Sequence, residues 1–204
     1  MPRIDPVPTD KWPSEMRYAM KAMTPPAQRY SLTSEGRPSG RNIFSTLAHN
    51  PRLATAVCTL NAHLLLATSL TERQRELVIL RVAALRTSSY EWAQHTFMAR
   101  DAGISDSEIA WIAWGPDAPV WNQAESNLLR AVDELVHDGL IADQTWAVLT
   151  ESLNEQQILD VIFTAGAFST VAWMLASLDV ELDEDLRRAI ASPMLPTGVA
   201  TTED

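Results

Sequence analysis

An all-α fold follows from three features of this 204-residue chain. Helix-start signatures, in which a Ser or Thr is followed three residues later by Glu or Gln, recur at Thr71 with Gln74, Ser88 with Glu91 and Ser105 with Glu108. Apolar residues return at helical spacing, as in Ile43, Leu47, Leu53, Val57, Leu60 and Leu64. No alternating Val/Ile/Thr run with hairpin turns occurs, and no glycine-rich phosphate loop.

The elements can be placed in order. Residues 1–42 contain Pro2, Pro6, Pro8, Pro13, Pro25, Pro26 and Pro38 with Gly36 and Gly40, too many breakers for a core element, although 14–23 suits a short helix. This leader reads as an arm lying on the body or on a neighbouring subunit. The body, 43–191, is expected to be one helical domain. It begins with two helices over 42–68, the second started by Pro51 in its first turn. Thr71 opens a helix to about 86, and Ser88 opens another to 102, closed by Gly103 in the left-handed position after its last turn. Ser105 starts a short helix ended by Gly115 and Pro116. Helices follow over 123–137, ended by Gly139, over 143–152, and from the Asn154 cap through 178. An acidic helix near 183–191 precedes a tail, 192–204, expected to be flexible.

Composition narrows the function. With 46% hydrophobic and 21% charged residues the chain can bury a real core. Its 26 acidic and 16 basic residues give a formal charge of −10, which repels phosphate backbones and argues against nucleic acid as a partner. Cys58 is the one cysteine, so one chain can build no disulfide framework, CxxC pair or thiolate metal cage, which fits a reducing cytoplasm. The leader is too rich in Pro and charge for a signal peptide, and no run is expected to approach the roughly 20 apolar residues of a membrane span, so no membrane is expected. Lysine occurs only at Lys11 and Lys21, leaving none in the body for a Schiff base.

Proton-handling groups concentrate between Glu76 and His95. Glu91 and His95 are four residues apart, so a helix opened by Ser88 stacks them on one face. A Glu facing a His across a helical hairpin holds its tautomer and can exchange a proton with it, and imidazole titrates at about 6.5. Two neighbouring carboxyls would also separate their titrations into an acid and a base. Each residue has a plainer reading as well. Glu91 fits as the return arm of a capping box, Glu76 as a first-turn acid favouring the macrodipole, and His95 as a satisfied, partly buried histidine. Glu91 with His95 offers two metal ligands where a catalytic zinc wants three, and His49, His63 and His137 are isolated, so no metal is expected. Trp92 can wall a pocket, although the tryptophans as a group read as core or interface. Cys58 reads as a small buried hydrophobe.

The strings LTERQRELVILR at 70–81, YEWAQH at 90–95 and ARDAGIS at 99–105 resemble the carboxymuconolactone decarboxylase family, which shares its fold with alkylhydroperoxidase D. The resemblance is specific over about 70–112 and looser over 43–69 and 120–180. In the family's peroxidase branch a glutamate is followed by two cysteines three apart and then a histidine four later. Glu76 and His95 match the glutamate and histidine, while Ser88 and Glu91 stand at the cysteine positions. Neither can replace a thiolate nucleophile or its resolving thiol. The resemblance therefore points to the decarboxylase branch, whose members act without cofactor on small lactones or related carboxylated compounds. It further implies an all-α homo-oligomer, a trimer, hexamer or dimer, with sites near subunit contacts.

The preferred expectation is a cofactor-independent lyase, decarboxylase or isomerase acting by proton transfer on a small carboxylated lactone or carbonyl compound. His95 is the general acid/base, Glu91 its orienting or proton-sharing partner, and Glu76 the second carboxylate. Ser88 and Trp92 form the pocket wall, and Arg81 meets a substrate carboxylate, unless it simply pairs with an acid. The alternative is a non-catalytic binding or assembly protein on the same scaffold, with Glu91 capping its own helix, His95 bonded to a backbone carbonyl and no cavity beside them. A distant third is a peroxidase using Cys58 alone.

Overall fold

In the computed structural model, residues 1–31 and 38–191 are described, and they contain helices and no strands. The expected flexible tail at 192–204 lies outside them. Ten α-helices follow in order: α1 Met16–Ala22, α2 Arg41–Leu47, α3 Pro51–Ala62, α4 Glu72–Leu85, α5 Ser89–Asp101, α6 Asp106–Trp114, α7 Gln123–His137, α8 Asp143–Ser152, α9 Glu155–Leu178 and α10 Glu184–Ala191. A short 3₁₀ turn spans Thr9–Lys11, and a π turn, His63–Ala67, prolongs α3.

Local chemistry accounts for half of the ten helix starts. Asn50 accepts from the Leu53 amide with Pro51 in the first turn. Full capping boxes form at Thr71 with Gln74, Ser105 with Glu108, Asn122 with Glu125 and Asn154 with Gln157. The expected box at Ser88 does not form. Ser88 is the N-cap of α5, but its hydroxyl makes no capping bond. The α4–α5 connection is too tight. Thr87 sits at φ 52°, and Ser88 at ψ 90° instead of the 157–172° of the four formed boxes. That geometry aims the serine away from the α5 amides and leaves the Glu91 carboxyl unspent.

Helix α4 is the axis of the bundle and packs on α5, α6, α7 and α9. Its Leu77, Val78, Ile79 and Leu80 are fully buried, meeting Ile112 of α6, Leu129 and Val132 of α7, and Val161 and Phe168 of α9 in one core. Helix α9 is long and apolar enough to cross a membrane, with a mean hydropathy of 1.7 over its best window, contrary to the expectation that no run would be. Half of that window is buried in the bundle, where α9 packs on α4 and α7 as a core helix.

The leader does more than drape over the body. Helix α1 packs on α3 and buries Met16 and Ala19 against Leu47, Ala54 and Cys58, a second small core. The prolines fall outside α1, so they bend the chain without interrupting it. Farther along, the Arg29 and Tyr30 amides donate to the Leu66 carbonyl at 2.6 and 3.0 Å, and the Tyr30 hydroxyl donates to Leu70 O at 2.7 Å. The π turn makes the Leu66 carbonyl available because its backbone has left the α-helical ladder. At the other end, Asp183 accepts from the Asn42 amide and the Tyr90 hydroxyl, fixing α10 to α2 and α5.

Candidate functional site

Between the leader, α2, α3, α4, α5 and α9 lies a cavity of about 450 Å³. That is within the size range of small-molecule sites, roughly 300–1,000 Å³. Most of its wall is hydrocarbon, from Ile43, Phe44, Leu47, Val57, Phe168 and Val171. Glu91 and His95 enter it from α5, one turn apart, as their spacing predicts.

A relay stands behind His95. Its Nδ1 lies 2.8 Å from Glu76 Oε2, and the other oxygen, Oε1, accepts from Arg75 Nε at 2.7 Å. Arg75 Nη1 in turn donates to Leu65 O in the π turn at 2.6 Å, with the Tyr30 ring 5.5 Å from the guanidinium. Glu76 is wholly buried. Burial alone would raise its pKa, but the attraction of His95 and then Arg75 outweighs it and holds the carboxyl below its ordinary range. A charged Glu76 keeps the proton on Nδ1, which leaves Nε2 as the ring nitrogen for a guest. Phe168 meets the imidazole edge-on, with ring centroids 5.1 Å apart, and fixes its plane.

Glu91 is the opposite kind of carboxyl. It is 3% exposed, and among the described residues neither oxygen has a hydrogen-bond partner. Burial pushes its pKa up to about 7, and the nearby Ser88 hydroxyl, which favours the ionised form, offsets this only in part without forming a well-aligned bond. The site therefore pairs an anionic carboxylate behind the imidazole with a carboxyl that can gain or lose a proton near neutrality. Such divergence is what acid–base chemistry needs. The arrangement lacks the signature of a purely structural scaffold: Glu91 does not cap α5, His95 bonds a carboxylate rather than a backbone carbonyl, and a cavity lies beside both.

Glu76, Glu91 and His95 thus converge, and the other three sequence candidates sit elsewhere. Ser88 is buried at the N-cap, Trp92 packs against the main core, and neither lines the cavity. Trp92 follows Glu91 directly, which on a helix turns it about 100° away from the cavity face. Arg81 is a turn and a half along α4 from Arg75 and faces α6 and α7. Its Nε and Nη2 donate to Asp133 at 2.5 and 2.8 Å, and Nη1 donates to the carbonyls of Ile112 and Ala113. Its donors are spent on structure, in line with the ion-pair alternative.

Arg75 was the residue missed. It sits in the polar string at the start of α4, where nothing in the sequence marks it as buried, and its partners come from the π turn and the leader. A second cluster was also missed. Asp160 accepts from the Ser69 amide and hydroxyl at 2.6 Å each and from Thr68, and lies 3.1 Å from His63 Nε2. It secures the exit of the π turn to α9. Among the described residues no group of three or more His, Cys, Asp and Glu side chains converges as a metal ion would require. Cys58 lines the cavity, but burial raises its thiol to about 11.

Comparison with known proteins agrees with this architecture. Residues 51–134 match the model of the carboxymuconolactone decarboxylase family. A search of curated protein sequences finds no match. Among solved structures, a protein of unknown function from Agrobacterium tumefaciens, described as an AhpD-type antioxidant defence protein, superposes with a TM-score of 0.63 at 20% identity, covering 68% of this chain and 95% of that one. A peroxidase-related protein with an alkylhydroperoxidase AhpD core from Ralstonia eutropha gives 0.64 at 16% identity, covering 79% and 95%. A debrominase gives 0.68 at 13% identity, covering 91% and 95%. At these identities the structures speak for the fold alone. Residues 51–134 are thus similar to the carboxymuconolactone decarboxylase family, and the chain has the helical fold of its AhpD-type structural neighbours.

Proposed function

We propose that this protein is a cofactor-independent proton-transfer enzyme, a lyase of the decarboxylase kind or an isomerase, acting on a small lactone or carbonyl compound. One observation carries the reading: an unpartnered, buried carboxyl and a carboxylate-held imidazole share one helix face and one cavity. In this scheme His95 Nε2 takes a proton from the carbon beside the substrate carbonyl, and the charge left on oxygen is met by the protonated Glu91 carboxyl. Glu76 stabilises the imidazolium that forms, and Arg75 keeps Glu76 ionised and in place. Return of the proton to a different carbon gives an isomerase. In the decarboxylating variant the proton of the substrate's own carboxyl passes to His95 Nε2, carbon dioxide leaves, and the resulting enolate takes that proton back.

The structural neighbours include an uncharacterised peroxidase-related protein and a debrominase, but fold does not dictate reaction. Thiol chemistry suits this site poorly, with Ser88 and Glu91 at the two thiol positions and Cys58 held protonated.

The test is solvent exchange. In D₂O the wild-type protein should transfer deuterium to the carbon beside the carbonyl of lactones and ketones that fit the cavity, monitored by proton NMR. His95→Ala should lose about 10²–10⁴-fold of that rate while retaining its circular dichroism and elution volume. Equal exchange by the two proteins, or none by either across the panel, would end the proposal.

A further inference from the structure

We infer that the cavity selects an uncharged, largely hydrocarbon lactone or ketone and rejects its carboxylate-bearing counterparts; this rests on the proton-transfer reading of the same site and narrows it to the isomerase branch, since a decarboxylase must hold the carboxylate that it removes. A buried anion needs a cation whose charge is not already balanced. Among the described lining residues the side chains that can carry positive charge are Arg75 and His95, and each already faces a carboxylate. Arg75 is 2% exposed, with Nε on Glu76 and Nη1 on the Leu65 carbonyl, and its charge is balanced by Glu76 and by Glu72, whose Oε1 lies 3.9 Å from Nη2. His95 leans on Glu76, which would balance any charge the ring acquired. Arg81, the other buried arginine of α4, is bound to Asp133 away from the cavity.

The remaining charged wall residues are acids: Glu91 at the cavity's polar end, Glu72, and Asp101, which has a polar partner of its own. A carboxylate placed near His95 would therefore lie beside Glu91 and gain no free counter-charge from the described wall. A neutral carbonyl oxygen fits the same place. It can accept from the protonated Glu91, a buried donor otherwise without a partner, while the hydrocarbon part lies against Ile43, Phe44, Leu47 and Phe168.

A matched pair tests this with the full-length protein. δ-Decalactone and its ring-opened hydroxy acid share one carbon skeleton and differ chiefly in charge. Calorimetric titration at pH 7 should show the lactone binding at least about tenfold more tightly than the acid. Glu91→Gln should narrow that gap by improving the acid's affinity. Equal or tighter binding of the acid, no binding of either compound, or an unchanged gap in Glu91→Gln would overturn the inference. Deuterium exchange in the same samples keeps the two claims apart. A lactone that binds selectively without exchanging leaves the selectivity standing and removes the proton-transfer reading. An acid that binds tighter and exchanges does the reverse.

Discussion

Helix α4 carries two buried arginines six residues apart, and their different fates show what separates a site from a staple. Arg81 closes on Asp133 and on the end of α6, where all three guanidinium nitrogens are bonded and the chain of contacts stops. Arg75 closes on Glu76, whose second oxygen passes the connection to His95 and so to a cavity. Both are buried charge pairs of good geometry, so burial and pairing alone say little about function. What distinguishes Arg75 is that its partner also orients a titratable ring facing space for a guest.

That contrast can be broken at several points. The largest effect expected is the loss of exchange in His95→Ala. Next come the two carboxylates. Asp133→Ala and Glu76→Ala each strand a buried arginine and should each cost about 3–5 kcal/mol of folding stability, read by urea denaturation. They should part in ligand affinity at the cavity, measured under conditions where both variants stay folded: unchanged in Asp133→Ala and altered in Glu76→Ala. Equal losses of affinity would mean that the Arg81 cluster belongs to the site after all.

Glu91 gives the following effect, and its sign is fixed by its environment. Folding raises its pKa from an ordinary 4.5 to about 7, so the folded protein holds a proton that the unfolded chain has released. Stability should thus decline as pH rises from 4.5 toward 7 and then level off. Glu91→Gln, with no proton to lose, should escape that decline and gain up to about 3 kcal/mol on wild type by pH 8. Parallel curves for the two proteins would contradict the buried, unpartnered carboxyl. The smallest effect belongs to Gly115, which sits at φ 120° with a Cβ position 2.9 Å from Arg81 Nη2. Gly115→Ala should cost about 1–3 kcal/mol through strain and displacement of that guanidinium, with ligand binding unaffected.

The helices themselves were written locally and could be read locally. Capping residues such as Thr71, Ser105 and Asn154, and the periodic apolar faces they precede, act within a few residues of one another. The Glu76, Glu91 and His95 grouping was legible for a similar reason, since helical spacing and a short hairpin fix where those side chains can go. What could not be read depended on distant chain. Arg75 becomes a relay member only because a π turn offers Leu65 O and the leader brings Tyr30 alongside. Arg81 stands in an apolar stretch of α4, but the acid that takes it, Asp133, lies 52 positions away. Glu91 was the most misleading residue. Its sequence context spells a capping box, and only the left-handed Thr87 and the tight turn into Ser88 deny it that role. The local rule fails at the residue that faces the cavity, as expected where a site overrides local preference.

The account turns on Glu91 being ready to give or take a proton inside that cavity. Its titration can be followed directly by carbon-13 NMR of protein labelled at the glutamate carboxyl carbons, with Glu91→Gln identifying the resonance. A midpoint near 7 that moves when δ-decalactone binds is the predicted result. A midpoint at the ordinary value of 4.5, indifferent to the lactone, would mean a solvated, uninvolved carboxylate and would contradict the central claim.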